Sequence, residues 1–129
     1  MTYSAGFAVG AQITPLYDFK TTNATAITNG QSVVSALLAG DSSRVQALVG
    51  SQVAFRGYGS GGSMTNHPAN LMISSNIILD VEIVPARNMI RPCCVWWADV
   101  LGTLKSVDFE KRVIYIQARL EDWHLGPPS

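Results

Sequence analysis

At 129 residues and 13.9 kDa, the chain has room for one complete hydrophobic core but not for two. Hydrophobic residues are 47% of it, charged residues only 14%, and nine Lys plus Arg balance nine Asp plus Glu for a formal net charge of +0. The composition excludes wholesale disorder, and the balance argues against a partner held by bulk charge, such as non-specifically bound duplex DNA or an anionic membrane surface. The longest apolar stretches, Val33–Leu38 and Ile77–Leu79, fall far short of the roughly 20 residues of a membrane span, so no membrane partner is expected. The stretch Met1–Gly10 lacks a basic region followed by an apolar run, so no secretory signal is expected. The only cysteines, Cys93 and Cys94, are adjacent, a spacing at which an intramolecular bridge is strained. Reduced thiols and no signal predict an intracellular protein, cytoplasmic or nuclear.

In chain order, residues 5–19 read as a strand, with Phe7, Val9, Ala11 and Ile13 alternating before Pro15. Asn29-Gly30 is a turn signal within the polar run Thr21–Gln31. Val33, Val34, Leu37 and Leu38 predict a helix over Ser32–Ala39, with Gly40 as its cap. Asp41 then caps a second helix, Ser42–Val49, closed by Gly50. Ser51–Tyr58 reads as a strand, and the glycine-rich stretch 57–63 as a flexible connection.

The second half has sharper periodicity. Over Leu71–Val84, Ile77, Leu79, Val81 and Ile83 share one face while Asp80 and Glu82 share the other, which predicts one long half-buried strand ended by Pro85. Cys93–Leu101 is a strand, bent or bulged at Gly102 and continued by Thr103–Val107. Asp108–Lys111 is a hairpin turn, and Arg112–Leu120 returns with Ile114, Ile116, Ala118 and Leu120 on one face. Residues 121–129, ending in Gly126-Pro127-Pro128, read as a frayed tail to a single domain spanning 1–129. The fold class is therefore mainly β with one or two short helices, a small barrel or rolled antiparallel sheet. Its bent, glycine-interrupted strand and closing hairpin resemble an OB-type barrel in architecture.

The chemistry-bearing residues are sparse. His67 and His124 have no partner at metal-ligand spacing, so they read as solvated loop residues and neither metal nor cofactor is expected. Ser60 and Ser63 lack the strand–elbow–helix setting of a hydrolase serine, and the glycines of 57–63 lack the Lys-Ser/Thr ending of a phosphate loop. With no nucleophile, base and acid brought together, the expectation is a non-catalytic binding module.

Its candidate site is aromatic and basic. Trp96 and Trp97 are adjacent on a strand, so one ring faces away from the core. Tyr115 and Arg119 share a face of the last strand, and Lys105, Lys111 and Arg112 cluster at its hairpin. Aromatics interleaved with cations are what single-stranded nucleic acid requires, because bases stack while charges follow the backbone. Asp99, Asp108, Glu110 and Glu121 lie among the same residues, so an ordinary mixed-charge surface competes with that reading. The alternative is a protein-interaction or self-assembling structural subunit, since low charge and strand edges poor in Lys favour a homo-oligomer. Carbohydrate binding through an exposed tryptophan is a third class.

Overall fold

A computed structural model describes residues 23–60, 63–64, 69–85, 89–90 and 95–125. The strand read over 5–19, the Cys93-Cys94 pair and His67 lie outside them. Helix α1 spans Ala24–Ala39 and α2 spans Ser42–Leu48. The strands follow: β1 Gln52–Ser60, β2 Ser63–Met64, β3 Ala69–Ser74, β4 Ile77–Ile83, β5 Met89–Ile90, β6 Val95–Asp108, β7 Val113–Ala118 and β8 Trp123–Leu125. A single 3-10 turn, Leu120–Asp122, joins the last two.

The protein is mostly β. Five strands run in the order β1-β3-β4-β7-β6, with β6 pairing back onto β1, while β8 extends the sheet beside β6. All pairings are antiparallel except β4 with β7. The sheet thus curls into an OB-like half-barrel, as the sequence predicts. It is closed unevenly. On one side β1 and β6 match nine residue pairs, from Gln52–Thr103 to Ser60–Val95, whereas β1 meets β3 in the single pair Tyr58–Met72.

Inward residues of every barrel strand, among them Val53, Phe55, Leu71, Leu79, Val100, Leu104, Ile114 and Ile116, form one core. Val33, Ala36 and Leu37 of α1 and Val45 of α2 belong to the same cluster, so the helices complete the core rather than decorate it. Two backbone bonds fasten the α2–β1 junction to the sheet: Gly50 N–H donates to the Leu104 carbonyl (2.9 Å) and Leu104 N–H to that of Ser51 (3.0 Å).

The boundary between the helices is as expected. Gly40 takes the left-handed conformation (φ 71°), and the Asp41 carboxylate accepts from the Ser43 hydroxyl (2.9 Å) and the Arg44 amide (3.1 Å). Those two bonds hold the Asp41 carboxyl below its ordinary pKa.

Five expectations need correction. Helix α1 begins at Ala24, not Ser32, and Asn29-Gly30 lies inside it. Gly30 is buried where the helix crosses β1, and a methyl group there would collide with the Ala54 carbonyl, so glycine serves close packing rather than a turn. Leu71–Val84 is a hairpin, β3 and β4 joined at Ser75-Asn76, where the Ser74 hydroxyl donates to the Asn76 side chain (3.0 Å). Gly102 is not the bulge: the register of β6 against β7 shifts between Leu104 and Ser106, leaving Lys105 as the extra residue. Gly102 instead lets β6 approach β7, since an added Cβ would sit 2.5 Å from the Gln117 carbonyl oxygen. Of the tail read over 121–129, residues 121–125 are not loose, because β8 pairs with Ala98–Val100 of β6, and 126–129 lie outside the described residues. From Gly57 to Ser60, the glycine-rich stretch is strand rather than a flexible connection.

Candidate interaction surfaces

The residues of the predicted aromatic–basic site fall in three places. Tyr115 sits on the outer face of β7, opposite Ser106 of β6 on one side and Asp80 of β4 on the other. Lys105, exposed in the bulge, is next to Ser106 and so beside Tyr115. Lys111 and Arg112 occupy the β6–β7 turn, where Arg112 has φ 57° and the Lys111 amide donates to Asp108 (2.9 Å). These four residues form one neighbourhood.

Arg119 lies beyond the other end of β7, roughly 23 Å from Arg112 at strand spacing. There its Nε donates to Asp122 at 2.9 Å, which spends its charge locally and holds the guanidinium still more firmly charged. Trp96 and Trp97 lie in the far half of β6, in register with Gly59 and Tyr58 of β1. The tryptophans therefore belong to a different part of the barrel from Tyr115.

The outer face of β3, β4 and β7 is ordered in cross-strand rows. Met72, Ile78 and Val113 make an apolar row, with Met72 48% and Ile78 39% exposed. Next come Asn70, Asp80 and Tyr115, then Glu82 and Gln117, whose amide donates to Glu82 at 2.8 Å. Partial burial, and secondarily the charge of Glu82, push the Asp80 carboxyl above its ordinary pKa. Neither β3 nor β4 contains a Lys or Arg. On this face the carboxylates of β4 and the bulge lysine of β6 flank β7 on opposite sides.

A second surface was not legible in the sequence. Between α1 and β1, at the unpaired end of the β1–β3 seam, lies a groove of about 510 Å³. Its apolar wall is Ile27, Val34, Ala54, Phe55 and Ile73, and its polar end is the pair Arg56–Asp99. Asp99 has a side chain only 3% exposed and receives two bonds from Arg56, Nε at 2.7 Å and Nη2 at 2.9 Å. It is the one buried charged group among the described residues. A carboxylate inside the apolar run Val95–Leu101 was the available sequence signal, for a buried charge requires a partner. The partner's identity was not available, because it lies 43 residues away across a strand ladder.

No protein-family model, curated protein or solved structure matches the chain. Among the described residues no cluster of three or more His, Cys, Asp or Glu is placed to hold a metal ion, and no helix is long and apolar enough to cross a membrane.

Proposed function

We propose that the chain is a non-catalytic, self-associating interaction module whose outer β4–β7–β6 face meets the same face of a second copy. The observation that carries this reading is the arrangement about β7. Asp80 and Glu82 lie on its β4 side, Lys105 lies on its β6 side, and Met72 and Ile78 are exposed beside them. A two-fold axis through β7 sets the β4 of one copy on the β6 of the other, so carboxylates meet lysine twice while Tyr115 meets Tyr115. A chain of net charge +0 offers no overall repulsion to such pairing.

Sedimentation velocity over a concentration series tests it. The expected result is a monomer–dimer equilibrium that weakens with salt and is lost in Ile78→Glu. Lys105→Glu also weakens it, and adding Glu82→Lys to that variant restores association. A monomer at every concentration overturns the reading.

Single-stranded nucleic acid is the second reading, favoured by the OB-like topology, a fold that elsewhere binds oligonucleotides. Among the described residues, Lys105, Lys111 and Arg112 are the cations on the Tyr115 side that could serve it, with Asp80 and Glu82 across the strand from them. Anisotropy of labelled single strands that rises with protein and collapses with salt would favour it over self-association.

A further inference from the structure

Given that self-association, on which the inference rests, we propose that the Lys105 ammonium of each copy seats between Asp80 and Glu82 of the other. A proton on Asp80 releases it, so acid takes the dimer apart. The starting point is a pair of charges left unanswered within one chain. Asp80 is partly buried between Asn70 and Tyr115, yet it accepts no hydrogen bond among the described residues. Lys105 is exposed and joins no ion pair among them. Both stand on the outer face, but β4 and β6 are two strand spacings apart, about 10 Å, with Tyr115 between them.

The β6 bulge sets the fit. The Tyr115 row holds Asp80 and Ser106, and the Gln117 row holds Glu82 and Thr103, so the extra residue Lys105 falls between the rows. A two-fold axis running along β7 carries β6 of one copy over β4 of the other without changing height along the strand. Each Lys105 then faces the gap between the partner's Asp80 and the partner's Glu82, which are two residues and so about 6.6 Å apart. An ammonium in that gap has donors for both carboxylates. Gln117 already donates to one Glu82 oxygen, whereas Asp80 has no donor of its own, so Asp80 gains most from the contact.

The groups facing Asp80 are Glu82 on its own strand, Tyr115 on β7 and, beyond it, Lys105 and Asp108 on β6, while β3 contributes the neutral Asn70. Lys111 and Arg112 lie past Ile78, whose amide donates to the Arg112 carbonyl (3.0 Å). Burial first and Glu82 second make the Asp80 of a free chain keep its proton to a higher pH than an ordinary aspartate. A seated ammonium favours the carboxylate, so the dimer holds that proton less tightly than the monomer does. Association is therefore strongest above the monomer's Asp80 pKa and weakens as pH falls through it, by up to about tenfold per pH unit for each Asp80.

The test is sedimentation velocity of the full chain at low salt from about pH 7.5 down to about pH 4.5, with circular dichroism confirming the fold at each step. Expected is a dimer at the upper end that dissociates toward the lower. Asp80→Asn, which keeps the shape of the side chain, weakens the dimer roughly tenfold at the upper end and removes the acid step. Glu82→Gln weakens the dimer but keeps that step. A monomer at the upper end overturns the self-association reading and the acid release with it. A dimer whose affinity is unchanged or greater in acid overturns the release alone, as does an Asp80→Asn dimer that still comes apart.

Discussion

Asp99 is a buried side chain whose hydrogen bonds come from Arg56. Its side chain is 3% exposed, and both of its oxygens accept from the one guanidinium. Replacing Arg56 with Leu leaves that carboxylate buried and unpaired, at a cost of about 3 kcal/mol, whereas Arg56→Leu with Asp99→Leu removes the pair cleanly and recovers most of the loss. Urea denaturation of both variants measures the difference, and equal midpoints would mean that Asp99 finds water instead. Asp80 has the opposite economy. Because the folded chain holds its proton to a higher pH than the unfolded chain does, Asp80 lowers stability as pH rises from its ordinary value of 3.8 through the raised one. Asp80→Asn is therefore expected to melt higher than the parent at pH 7, with the gap closing below about pH 3.5, where both side chains are neutral. Thermal melts across that range check the sign.

At the scale of elements, α1 shows tertiary packing overruling a local signal. Asn-Gly reads as a turn because both residues tolerate positive φ, yet here the pair lies within sixteen helical residues that bury Ala26, Gly30, Val33, Ala36 and Leu37. Gly30→Ala would favour an isolated helix by about 1 kcal/mol. In this protein it is expected to destabilise by about 1 to 3 kcal/mol, because the new methyl group has no room against β1 and the helix must move off the sheet. A lower urea midpoint for Gly30→Ala would bear that out, and a higher one would place the helix elsewhere. The β3–β4 hairpin was hidden for another reason. A two-residue turn alone would reverse the parity, since Ser74 pairs with Ile77, but the register shift between Met72 and Ser74 inserts one extra residue and restores it, so Leu71, Ile77, Leu79 and Val81 all face inward at odd positions on both sides of Ser75-Asn76. A hairpin with such a bulge and a single strand carry the same pattern. By contrast, the caps at Gly40 and Asp41 and the alternation of β7 were readable, for each depends on neighbours a few residues away.

Over the whole molecule, the half-barrel leaves its two candidate surfaces at different places: the outer face about β7, and the groove at the open β1–β3 seam. The predicted site mixed residues of both regions. Tyr115 and Lys105 come together on the first, while the backbone of Trp97 lies two ladder pairs beyond Arg56–Asp99, toward the second. Ile78→Glu is expected to abolish dimerisation in sedimentation while leaving the melting temperature of the monomer unchanged, because the side chain is exposed on the outer face. A lower melting temperature would mean that Ile78 serves the fold as well as the contact.

The sequence by itself determined the β class, the inward and outward faces of β4 and β7, the boundary between the helices and the turn after β6. These follow from alternation, caps and turn chemistry, which act over a few residues. Only the tertiary structure decided that α1 runs through Asn29-Gly30, that Leu71–Val84 folds back on itself, that β8 joins the sheet, and that Arg56 answers Asp99. Each of those depends on burying one surface against another tens of residues distant, and no local pattern carries that register.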